Sequence, residues 1–227
     1  MISRDTFMEW KKALPRLPLV ERDNYILERC AERRVIHLGA CDAPYTEEHA
    51  ARGILLHQKL QGRCANLIGC DINAQAAEIL RTRFGIDNIV VCDLSTDSVP
   101  ASVSGDLIVC ADMIEHVNNP GVLLTSCNRM LPHGGDLLVS TIHALSLKYA
   151  LRALFTGAET VHPDHVTYFS YATLGVLLDR FGFEVKTVRY YTYASGGRFG
   201  DLFNNLFKLF PQGADGIVVE ATKVRQI

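Results

Sequence analysis

Val35-Ile36-His37-Leu38-Gly39-Ala40-Cys41-Asp42-Ala43 is a short apolar run that breaks into small residues. It reads as a buried strand entering a tight turn, because Gly and Ala let the backbone bend and approach a ligand closely. The same figure recurs downstream: Asn66–Asp71 ends in Cys70-Asp71-Ile72-Asn73, Ile89–Asp93 ends in Cys92-Asp93-Leu94, and Leu107–Ala111 runs into Asp112-Met113-Ile114-Glu115-His116-Val117. With Val35–Gly39 and Leu137–Ile142 these make five short strands rich in Val, Ile and Leu, without strict alternation, as in strands covered on both faces. Two further strands are predicted at Glu184–Tyr191 and Gly216–Thr222.

Helical patterns fill the gaps, at Ala51–Leu60, Ala74–Phe84, Pro120–Leu131, Leu145–Phe155 and Ala172–Phe181. Asn73 and Ser170 suit helix starts, and Gly85 and Gly182 suit helix stops. Residues Phe7 to Arg33 read as one or two helices interrupted at Pro15 and Pro18. The alternation predicts an α/β fold, a doubly wound and mostly parallel sheet with helices on both faces. The expected division is an N-terminal helical segment, 1–34, and a single domain, 35–227.

The 227 residues carry 23 Lys+Arg against 25 Asp+Glu and are 48% hydrophobic, which excludes a disordered or supercharged chain. No apolar run is long enough to span a membrane, and the N-terminus lacks a signal-peptide core. The seven cysteines are odd in number and form no C-x-x-C, so reduced thiols in a cytoplasmic protein are expected.

Ligands of such sheets bind at the carboxyl ends of the strands. Asp71 there can accept from a ribose diol, and Asp93 from an exocyclic amine such as adenine N6. An acid after one strand is weak evidence; polar residues after four consecutive strands are strong evidence.

From about residue 30 to 224 the chain resembles the class I S-adenosylmethionine-dependent methyltransferases. Their first motif, acidic-x-Gly-x-Gly-x-Gly, aligns with His37 to Ala43, where Gly39 matches, His37 replaces the acid, and Cys41 and Ala43 replace glycines. Gly182-Phe183-Glu184-Val185 before two closing strands is also similar. The resemblance implies seven strands with the last antiparallel, and S-adenosyl-L-methionine held by His37, Gly39, Ala40, Cys41, Asp71, Ile72, Asp93, Leu94, Ala111 and Asp112. The GxGxxG dinucleotide fingerprint is absent, which disfavours NAD.

Asp112, Glu115 and His116 are spaced i, i+3, i+4, so a helical turn would put them on one side. The later run His162-Pro163-Asp164-His165 should border the same crevice. Two O-methyltransferase branches are similar here: the small-RNA 3′-end 2′-O-methyltransferases and the catechol-type enzymes of the ubiquinone pathway. The first implies Mg2+ or Mn2+ at Asp112, Glu115, His116 and His165. Without a metal, His165, His116 and Asp112 are the catalytic candidates, with His165 as general base. A purely structural role for this cluster is the third reading. His49, His57, His133 and His143 read as surface or loop residues.

The expected activity is O-methylation of a sugar, diol, phenol or catechol hydroxyl on a small molecule or glycoside. The alternatives are 2′-O-methylation of an RNA 3′ end and a catalytically inactive cofactor-binding module. Residues 180–227 carry an excess of only three positive charges, with no interleaved stacking platform, which disfavours RNA. Leu202, Phe203, Leu206, Phe207 and Phe210 make an apolar stripe within Ser195–Pro211, read as core, lid or the interface of a homodimer. Tyr190, Tyr191 and Tyr193 offer rings that can stack on an acceptor.

Overall fold

The computed structural model describes residues 11–96, 99–193 and 205–227. Its elements are α1 (Arg22–Cys30), β1 (Arg34–Leu38), α2 (Thr46–Ala51), α3 (Leu56–Leu60), β2 (Asn66–Asp71), α4 (Ala74–Phe84), β3 (Ile89–Val91) and β4 (Leu107–Ala111). There follow a 3-10 turn at Ile114–His116, α5 (Pro120–Met130), β5 (Asp136–Ile142), α6 (Leu147–Thr156), α7 (Tyr171–Arg180), β6 (Phe183–Tyr191) and β7 (Gly216–Lys223).

The seven strands form one sheet in the order β3-β2-β1-β4-β5-β7-β6, and β7 alone runs antiparallel to its neighbours β5 and β6. Alternate residues feed opposite layers. Ile36, Leu38, Ile108, Cys110, Leu137 and Val139 share a core with Leu123 and Leu124 of α5 and Leu174 and Leu178 of α7. Val35, Leu107, Val109 and Leu138 pack on Tyr25, Ile26 and Leu27 of α1 and on Leu60 of α3. Both faces are apolar, which is why the strands show no clean alternation in sequence.

Local signals hold at several boundaries. Asn73 accepts from the Ala76 N–H at the start of α4, and Gly85 closes that helix with φ +67°. Ser170 and Thr173 make a reciprocal capping box at the start of α7. Other boundaries differ. The helix expected over 51–60 is two, because Gly53 turns left-handed at φ +65° between α2 and α3. β3 stops at Val91, leaving Cys92 and Asp93 in the following turn. Of the opening segment, α1 is helical, whereas residues 11–21 are not. There Val20 N–H donates to the Tyr190 carbonyl at 2.9 Å and Leu19 bridges Tyr190 in parallel, along the outer edge of β6.

All seven cysteines are free thiols. No helix among the described residues is long and apolar enough to cross a membrane. Most of Ser195–Pro211, including Leu202 and Phe203, lies outside the described residues; Phe207 is core, while Phe210 is half exposed.

Candidate active site

The carboxyl ends of β1 to β4 open into one cavity of about 830 Å³, within the range of small-molecule sites. Gly39 turns the chain at φ +70°, and its N–H donates to the Cys70 carbonyl at 2.9 Å. Asp71 ties two loops together. Its Oδ2 accepts from the Cys41 N–H at 2.8 Å and its Oδ1 from the Asn73 N–H at 2.9 Å. Each oxygen keeps a second lone pair, and the side chain lines the cavity.

His37, Ala40, Ile72, Asp93, Leu94, Ala111 and Asp112 line it too, whereas Cys41 is wholly buried behind the loop. Ile72 is 68% exposed on that wall, an apolar surface that a flat adenine would cover. Asp93 is held below the usual carboxylate range by the Ser95 hydroxyl and backbone N–H. Two acceptors, an apolar shelf and a left-handed glycine turn together suit an adenosyl group.

Asp112 sits differently from the expectation. Its φ is +47°, a sparsely populated region for a residue with a Cβ, and four donors surround its carboxylate. Ser140 Oγ donates to Oδ1 at 2.7 Å and the Tyr191 hydroxyl to the same oxygen at 2.8 Å. The Tyr193 hydroxyl donates to Oδ2 at 3.0 Å, and the Arg22 guanidinium pairs with that oxygen. Burial opposes the Arg22 charge, but Asp112, Tyr191 and Asp23 outweigh it and hold Arg22 above its ordinary range. Tyr191 and Tyr193 therefore bind Asp112 rather than stand free for stacking, and Tyr190 is buried in the core.

Glu115 turns into the interior, 1% exposed, with neither carboxylate oxygen in hydrogen-bond geometry. Burial, helped by the charge of Asp112, pushes its carboxyl up to about 7. Among the described residues, one group of three potential ligand atoms lies mutually within 4.8 Å: His116, His162 and His165. The Val166 N–H donates to the Glu115 carbonyl at 2.9 Å, which docks the histidine loop on the turn after β4. Of the residues expected to hold an ion, His116 and His165 come together with His162, while four donors engage Asp112 and Glu115 is buried.

An all-imidazole trio suits zinc, nickel or iron; Mg2+ and Mn2+ want oxygen donors. The residues brought together do not fit a magnesium ion. His116 and His162 line the cavity, whereas His165 stands behind them, its ring 4.4 Å from that of His116 and nearly perpendicular to it. Burial, reinforced by His162, lowers the His116 pKa, which favours the neutral imidazole with a lone pair open to a proton.

Two other histidines correct the sequence reading. His57 is fully buried and His143 is 1% exposed, the former stacked on His37 and the latter against Tyr190. Arg22 and Asn88 carried no sequence signal, since their partners are distant in the chain.

A methyltransferase-domain family model matches residues 9–188. The chain belongs to that family. With its sheet order, this makes it a class I S-adenosylmethionine-dependent methyltransferase. A ubiquinone biosynthesis O-methyltransferase of Pseudomonas aeruginosa is 25% identical over 188 residues, 76% of this chain and 74% of the relative. One from Glaesserella parasuis is 28% identical over 117 residues, and there the match spans about half of each methyltransferase, 48% and 49%. The N-methyltransferase NodS from Bradyrhizobium japonicum, solved with S-adenosyl-L-homocysteine, shares the fold at a TM-score of 0.56 and 15% identity, over 90% of this chain and 86% of NodS.

Proposed function

We propose that this methyltransferase methylates a hydroxyl oxygen of a small acceptor, a phenol, catechol, diol or sugar, with His116 as proton acceptor. The observation that carries the reading is that His116 lines the same cavity as the adenosyl-binding strand ends. Two relatives named as O-methyltransferases support it.

When bound, S-adenosylmethionine supplies a methyl group on a good sulfonium leaving group. Asp71 would hold the ribose diol, Asp93 and Ile72 the adenine side, and the Gly39 turn would let the backbone approach. A neutral hydroxyl is a poor nucleophile, so a base within reach of its proton raises the rate. His116 is placed for this on the cavity wall, and His165 orients its ring from behind. Asp112, fixed by Arg22, Ser140, Tyr191 and Tyr193, lines the same cavity.

The test is methyl transfer from labelled cofactor to a panel of catechols, phenols, sugars and amines. Product from hydroxyls, lowered about 10²–10⁴-fold by His116→Ala with cofactor binding retained, is the expected result. Transfer to amines alone, or unchanged turnover in His116→Ala, would overturn it.

A further inference from the structure

A buried chain of side chains ends at the cavity wall beneath the Gly39 turn. His37 on β1 is 3% exposed and His57 on α3 fully buried, their rings stacked with centroids 5.4 Å apart and planes 9° from parallel. Their Nδ1 atoms are 3.2 Å apart. His57 Nε2 lies 3.1 Å from Asn88 Oδ1, and Asn88 Nδ2 donates to the Leu67 carbonyl at 2.8 Å. Gly69 of β2 leaves the space, since a Cβ there would stand 2.9 Å from His57 Cε1.

Only one arrangement of protons satisfies this chain. The Leu67 carbonyl can only accept, so the Asn88 amide nitrogen faces it and the amide oxygen faces His57. That oxygen can only accept as well, so His57 carries its proton on Nε2 and leaves Nδ1 bare. His37 must then donate from Nδ1, and its Nε2 is bare. Burial holds both imidazoles below the usual histidine range, His37 well below, so neither gains a second proton at neutral pH.

We propose that His37 Nε2 is a preset hydrogen-bond acceptor for the α-ammonium group of S-adenosylmethionine, its tautomer fixed by His57 and Asn88. The inference rests on the cofactor reading given above. The other strong donors of that molecule, the ribose hydroxyls and the adenine amine, fall to Asp71 and Asp93 at the ends of β2 and β3. His37 lies on β1, between the ribose acid and the Asp112 end, where the amino-acid part must lie. Arg22 also lines this wall, but Asp112 and Asp23 meet its charge, so it need not repel an ammonium. A neutral ring thus does the work of the acid that the resemblance led one to expect at position 37.

Nitrogen-15 spectra of the histidine side chains in the free protein read the tautomer directly; a bare, pyridine-type Nε2 at His37 is expected. Calorimetry then compares S-adenosylhomocysteine with 5′-methylthioadenosine, which lacks the amino-acid end. His37→Leu and Asn88→Leu should weaken S-adenosylhomocysteine about 10- to 100-fold and leave methylthioadenosine unchanged, with His37→Gln recovering part of the loss. Equal weakening of both ligands, or a protonated Nε2 in the wild-type spectrum, would overturn the proposal. Wild-type protein that binds neither ligand would overturn the cofactor reading instead. If the variants fail to fold, the wild-type spectrum decides.

Discussion

The Arg22 guanidinium, in the first turn of α1, pairs with the Asp112 carboxylate at the end of β4, ninety residues away. This contact fastens the N-terminal helix to the end of β4, and both side chains line the cavity. Removing the cation leaves a carboxylate with three neutral donors. Both side chains keep some exposure, 25% and 21%, so screening limits the effect. Arg22→Met should cost about 1–3 kcal/mol in urea unfolding and weaken S-adenosylhomocysteine. The double variant with Asp112→Asn should lose less than the sum of the singles; strict additivity would show that the pair is not coupled.

Gly39 and Gly182 separate a ligand-facing turn from a structural one. An alanine at Gly39 would be held at φ +70°, costing about 1–2 kcal/mol, and its methyl would meet the Met113 side chain on the cavity wall at 3.5 Å. Calorimetry should show weaker S-adenosylhomocysteine binding. At Gly182 a Cβ would stand 2.5 Å from the Arg225 carbonyl oxygen and 2.6 Å from Asn128 Nδ2. That substitution should cost more stability, about 2–4 kcal/mol, while the folded fraction binds as wild type does.

Burial pushes the His143 pKa down to about 4. Between about pH 6.5 and 4 the unfolded chain takes up this proton and the folded chain does not, so stability is lost as pH falls through that window. The loss from this residue is about 3 kcal/mol by pH 4. Glu115, held up at about 7, works in the opposite sense over about 4.5 to 7. The measurement is therefore the difference in slope between wild type and His143→Leu in urea unfolding from pH 7.5 to 4.5. Parallel curves would place the acid sensitivity elsewhere.

Among the described residues the ligand atoms brought together are three imidazoles, not oxygens. After chelation with EDTA, adding Mg2+ should change neither the melting temperature nor turnover. A magnesium-dependent rise in rate that Glu115→Gln abolishes would restore the acidic ligand set and displace the imidazole reading.

What could be read from the sequence follows a physical line. Strand positions, the Asn73 and Ser170 caps and the Gly85 stop depend on neighbours a few residues away, and the structure places them within a residue or two. Asp71 and Asp93 were visible because strand ends in this topology are shared ground. The break at Gly53 was ambiguous, since an isolated glycine in a helical pattern can stop a helix or sit inside one. Arg22, His57 and Asn88 were invisible for another reason: each acquires meaning from a partner that only folding supplies. Asp112 shows the same limit, because its i, i+3, i+4 spacing gives no hint of Tyr191 at the end of β6 and Tyr193 just beyond it.

The contact of Leu19 and Val20 with Tyr190 has a bearing on solution behaviour. β6 is the outermost strand at its end of the sheet, and an open strand edge invites pairing with another molecule. The N-terminal segment blocks that edge at Tyr190, so a chain shortened past Glu21 would present a sticky margin. Its failure should be turbidity and slow accumulation of oligomers at high concentration, well before any loss of helical signal.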